Sequence, residues 1–152
     1  MTYDTDEFGA MCGQGQAGNS SWAWQMALPV TGQTPSLARQ ATREVLAGWR
    51  VTHMEETAIL LVSELVTNAV QHACTQGSML ALRLEIARTS LRIEIHDGDP
   101  RWPEPSTTTG LDESGFGLVL VDALADKWGV RETATGKAVW VELDVRREHK
   151  LA

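Results

Sequence analysis

Residues 53–74 (HMEETAILLVSELVTNAVQHAC) carry Met54, Ala58, Leu61, Val62, Leu65, Ala69 and Ala73 in one broad apolar stripe at helical spacing. A helix of that length must bury its stripe against another layer, and the segments that follow supply one. Met79 to Ala87 (MLALRLEIA) and Leu91 to His96 (LRIEIH) alternate strictly, with the polar turn Arg88-Thr89-Ser90 between them, so they read as an antiparallel hairpin. Upstream, PSLARQATREVLAGW from Pro35 has apolar Leu37, Ala41, Val45 and Leu46 with Pro early and Gly48 late, which predicts a first helix. Before it, Ser21 to Leu28 alternates large and small residues and stops at Pro29, as an edge strand would.

Downstream, residues 98–114 hold three prolines and three consecutive threonines and read as an exposed loop. A loop this long is usually functional or disordered. Phe116 to Asp126 then has a helical pattern, and Lys127 to Glu132 and Val139 to Val145 read as a closing strand pair around Gly136. The order βααββ, loop, αββ predicts an α+β fold: a two-layer sandwich whose mixed, mostly antiparallel sheet is covered by helices on one face. Residues 1–20 are Gly-, Asp- and Ser-rich and read as a flexible leader, residues 21–146 as a single domain, and residues 147–152 as a tail.

Charge bounds the partners. The chain has 152 residues with net charge -7 and no Lys/Arg block, so nucleic acid is an unfavourable partner. Only Cys12 and Cys74 occur, without metal-ligand spacing, and no apolar stretch is long enough for a membrane span, so a reducing cytoplasm is the expected location.

Three polar features stand out from this frame. On the long helix, Glu64, Thr67, Asn68, Gln71, His72 and Thr75 line one face. A solvated face accounts for such a stripe, yet Asn68 is a poor helix-interior residue. A carboxylate one turn before an amide can also take a proton from a hydroxyl and hold Mg²⁺ through the amide oxygen. At the end of the second hairpin strand, Asp97-Gly98-Asp99-Pro100 is either a turn or a placement of Asp97 to accept from an exocyclic amine. Gly115-Phe116-Gly117 is either a loop end with a close-packing glycine or a helix N-terminus whose N–H groups receive phosphates.

In this order, ExxxN, a strand-end Asp and then GxGL resemble the ATP-binding domain of the GHKL superfamily, named for gyrase, a heat-shock chaperone, histidine kinases and MutL. SELVTNAVQHA, IHDGDP, GFGLVLVDALADKWG and GKAVWVEL are most similar to the anti-sigma-factor serine/threonine kinases and related actinobacterial regulatory proteins, over roughly residues 22–145. The resemblance implies the Bergerat ATP-binding fold, ATP and Mg²⁺ as cofactors, Glu64 as general base and Asn68 as the Mg²⁺-binding amide. It implies Asp97 as the adenine contact, residues 98–114 as a lid, Gly115 and Gly117 at the phosphates, and Phe116 and Leu118 as backbone contacts. It also implies a sigma factor and an antagonist protein as partners, and a homodimer, since related kinases commonly dimerise. Two departures matter: Asp99 replaces the usual glycine after the aspartate, and Lys137-Ala138 stands where a hydroxyl residue often supports the adenine contact. Lys137 reads as an exposed turn lysine or as one that reaches a phosphate.

Overall fold

The computed structural model describes residues 12–16, 19–73, 78–97, 113–134 and 136–146, with side chains over 21–71, 78–97, 119–134 and 136–146. Six strands form one sheet: β1 (Cys12–Gln16), β2 (Asn19–Pro29), β3 (Met79–Ala87), β4 (Ser90–Asp97), β5 (Lys127–Thr133) and β6 (Gly136–Asp144). Their spatial order is β1-β2-β3-β4-β6-β5. Among the described residues every pairing is antiparallel, where a mixed, mostly antiparallel sheet was expected. The stretch expected as a leader contains β1, and β1 takes the edge position assigned in advance to β2. Residues 98–112, most of the expected lid, lie outside the described residues.

The helices are α1 (Thr34–Gly48), α2 (Glu55–Asn68) and α3 (Glu113–Leu124). α1 has Pro in its first turn, where the missing N–H costs no hydrogen bond, and buries Ala38, Ala41, Val45 and Leu46 at helical spacing. Gly48 is its last residue. The chain leaves the helix through Arg50, in the left-handed region with φ 59. The Arg50 N–H donates to Ala47 O (3.1 Å) and the Val51 N–H to Leu46 O (3.0 Å), a Schellman closure.

The core lies between one face of the sheet and the helices. Trp24 and Leu28 of β2, Leu80, Leu82 and Leu84 of β3, Leu91, Ile93 and Ile95 of β4, and Val139, Val141 and Leu143 of β6 are buried there. Alternation puts all of these on one face, so a strand shifted by one residue would expose its whole apolar set. Above them lie Val45 and Leu46 of α1 and Ala58, Leu61, Val62 and Leu65 of α2. Trp24 and Trp49 belong to this core, while Trp22 is half exposed and its ring centroid lies 6.3 Å from that of Trp49. Among the described residues no helix is long and apolar enough to cross a membrane.

On the opposite face, Gly129 of β5 pairs with Trp140 of β6. A Cβ on Gly129 would come within 2.8 Å of Trp140 Cζ2, and the ring cannot retreat freely because the Arg92 guanidinium stacks 4.3 Å from its centroid. Gly129→Ala is therefore expected to destabilise the fold by about 1–3 kcal/mol, read as a lower urea midpoint with an altered tryptophan emission.

Candidate functional site

The predicted long helix is three segments: a 3-10 turn at Thr52–Met54, α2, and a π-helical turn at Ala69–Ala73. Asn68 is the last residue of α2, at the point where the hydrogen-bond pattern widens. π turns are rare and concentrate at functional sites, because the wider turn redirects side chains that a regular helix would align. The glutamate one turn earlier shares the half-buried state of Asn68.

Neighbouring contacts say which way this pair faces. Ser63 Oγ accepts from Arg39 Nη1 of α1 at 3.0 Å, so the Ser63 flank of α2 faces α1. At roughly 100° per residue, Glu64 and Asn68 lie on the far side of the axis from that flank. α2 also packs against α3. Gln71 is exposed, which fits the solvated-face reading for that member of the stripe, and the His72 side chain lies outside the described residues.

Chain connectivity then fixes which end of the sheet this is. The π turn ends at Ala73, and Ser78, which accepts from the Val30 N–H, leads directly into β3. Five peptide steps span at most about 17 Å. β3 starts beside Pro29, and its Ala81 pairs with His96. The end of α2 therefore sits at the end of the sheet where β4 finishes at Asp97, and the π turn touches β4.

Asp97 is buried on the helix-covered face, in alternation with Ile93 and Ile95. Its partner across the β4–β6 ladder is Lys137. The Lys137 Nζ lies 3.5 Å from Asp97 Oδ1, with the two side chains 4% and 2% exposed. Lys137 is thus not an exposed turn lysine. Sequence reading missed this pairing because the two residues are forty positions apart and meet only when β6 inserts between β4 and β5.

α3 runs over Glu113–Leu124, beginning before Gly115, so Gly115, Phe116, Gly117 and Leu118 fall in its opening turns; their side chains lie outside the described residues. Its other end is anchored at the Asp144 end of the sheet. There the Asp126 N–H donates to Glu142 O (3.0 Å) and Trp128 Nε1 to Asp122 Oδ1 (3.0 Å). A cavity of about 370 Å³ lined by Thr89, Ser90, Lys127 and Asp144 also lies at that end, away from Asp97.

The outer face of the sheet carries a charge network that sequence reading did not single out. Glu94, buried between β3 and β6, accepts from Arg92 Nε (2.7 Å), pairs with His96 Nε2 (2.7 Å) and meets Arg131 Nη2 (3.3 Å). Arg92 also donates to Glu142 Oε1 at 2.8 Å. The visible signal was the Arg92, Glu94, His96 alternation within β4. Burial pushes the Glu94 pKa up, but hydrogen bonds from Arg92 and His96 and their charges outweigh it and hold the carboxyl below its ordinary 4.5. A depressed folded-state pKa gives stability that is complete above the unfolded value and is lost as pH falls through the folded one. Thermal melts of wild type are therefore expected to lose stability below pH 4.5, and Glu94→Gln to lose less over the same interval.

A two-layer α+β sandwich carries a carboxylate and an amide on its central helix and a buried Asp at a strand end, an arrangement suited to an ATP-binding domain of histidine kinase type. Comparison with known proteins agrees: the model for the "Histidine kinase-like ATPase domain" family matches residues 29–143, and the chain belongs to that family. It is 36% identical over 84 residues to an uncharacterized protein of Streptomyces coelicolor, covering 53% of this chain and 79% of that protein. It is also similar to the histidine kinase domain of a blue-light activated histidine kinase from Erythrobacter litoralis, with TM-score 0.46 and 20% identity, over 80% of this chain. The chain spans 64% of that protein's length.

ATP is the ligand the family implies, and the donors fit it. A half-buried carboxylate and amide offer hard oxygens for a phosphate-bound divalent ion, and a buried carboxylate at a strand end offers an acceptor for an amine.

Proposed function

We propose that the chain is a cytoplasmic regulatory kinase of the anti-sigma-factor type, transferring the γ-phosphate of ATP to a Ser or Thr of a small antagonist protein and binding a sigma factor. The observation that carries this reading is the Glu64–Asn68 pair, half-buried and one turn apart on α2, with Asn68 at the point where the helix passes into the π turn. Glu64 accepts the proton of the attacking hydroxyl as its oxygen bonds to the γ-phosphorus and the bridging P–O bond breaks to release ADP. Asn68 would hold Mg²⁺ through its amide oxygen, and the ion would supply positive charge against the negative charge of the phosphates. Asp97 accepts from the 6-amino group of adenine, and the opening turns of α3, with Gly115 and Gly117 lacking side chains, bring N–H groups to the phosphates.

Departure from the usual motif at Asp99 favours a second reading, a non-catalytic ATP-binding regulator that sequesters its partner. Incubation of the protein with γ-labelled ATP, Mg²⁺ and a candidate antagonist separates the two. Label transferred to a partner Ser or Thr supports the kinase. Tight ATP binding with all label left on nucleotide, for every partner that binds, replaces it with the regulator.

A further inference from the structure

Lys137 and Asp97 face one another as direct cross-strand partners on the helix-covered side of the sheet, and both are almost wholly enclosed. β4 and β6 already share a full antiparallel ladder from Ser90↔Asp144 to Asp97↔Lys137. An ion pair is not required to hold them together, and a buried pair seldom adds net stability over well-packed apolar residues. What the register does provide is a fixed acceptor beside a fixed donor, at the strand end where the nucleotide reading places the base.

On the pairing edge of adenine a carboxylate alone can engage only the 6-amino group. The pairing edge of adenine carries a donor, the 6-amino group, next to an acceptor, N1. Guanine and hypoxanthine carry the reverse, an acceptor O6 next to a donor N1–H. An aspartate next to a lysine is complementary to the first order and mismatched at both positions to the second. We infer that Lys137 is a specificity-determining residue for the base, donating from Nζ to adenine N1 while Asp97 accepts from the 6-amino group. The inference rests on the nucleotide reading above and deepens it.

Two features of the pair support this division of labour. The 3.5 Å separation is longer than the roughly 2.7–2.9 Å of a direct charge-assisted hydrogen bond, so the ammonium is not drawn fully onto the carboxylate. The lysine also balances the aspartate, whose ionised form is costly to bury without a cation nearby.

The test is calorimetric titration of the wild-type chain with ATP and with two analogues. In 1-deaza-ATP a C–H replaces N1, and in purine riboside triphosphate the amine is absent. 1-Deaza-ATP is expected to bind roughly ten- to a hundredfold more weakly than ATP, the loss that follows when a charged hydrogen bond is removed. In Lys137→Met that difference should collapse to near unity, while the penalty for purine riboside triphosphate remains because Asp97 is intact. Equal binding of ATP and 1-deaza-ATP by wild type overturns the role of Lys137 and leaves the nucleotide reading standing. Failure of folded wild type to bind ATP overturns both. The deciding comparison uses wild type alone, so it does not depend on Lys137→Met folding.

Discussion

Glu64→Gln is expected to bind ATP within about twofold of wild type and to transfer phosphate roughly a hundred- to ten-thousandfold more slowly, the range for a removed general base. Glutamine keeps the size and the oxygen of glutamate but cannot take a proton at neutral pH, so the change isolates proton transfer from packing. The side chain is half-buried on a helix flank rather than in the core, so the melting temperature should move little. Single-turnover transfer to an antagonist, with calorimetry on the same preparation, provides both readouts. Transfer at the wild-type rate would remove Glu64 from the chemistry.

The second large effect concerns stability. Lys137→Met alone removes the ammonium 3.5 Å from the buried Asp97 carboxylate, and breaking a buried pair on one side typically costs about 3–5 kcal/mol. Because the pair is separated by 3.5 Å, the lower end, about 3 kcal/mol, is expected from urea denaturation. That is a large share of the ~5–15 kcal/mol by which domains are stable. Adding Asp97→Leu to Lys137→Met should recover most of the loss, since both charges are then gone and apolar groups fill the space. A double variant no more stable than the single one would show that Asp97 holds the strand end by contacts other than this pair.

Much of the fold was legible in the chain because its signals are local. The 3.6-residue spacing of Ala58, Leu61, Val62 and Leu65 and the two-residue alternation of Leu80, Leu82 and Leu84 each follow from residues within one or two turns or pleats. Both features survive in the structure as a buried helix face and a buried strand face. The helix ends at Gly48, as the late glycine suggested, but the left-handed position falls to Arg50, because the Schellman hydrogen bonds and the packing of Trp49 outweigh a local preference worth only about 1 kcal/mol. The π turn after Asn68 left no mark in the apolar spacing, since Ala69 and Ala73 continue the stripe. β1 was missed because glycines carry almost no pattern; its pairing with β2 supplies what side chains do not.

The same division applies to the candidate site. Glu64 and Asn68 are one turn apart on one helix, so their shared face follows from covalent geometry and could be read directly. The Asp97 position at a strand end was likewise readable from alternation. That β6 lies between β4 and β5, so that Lys137 sits beside Asp97 and Trp140 beside Glu94, was decided by the tertiary structure. Local periodicity can say that a segment is a strand and which of its faces is apolar, but strand order depends on burying all the apolar faces at once under α1, α2 and α3. That condition involves the whole chain, and so it settled the surroundings of residues whose chemistry the sequence alone had already made visible.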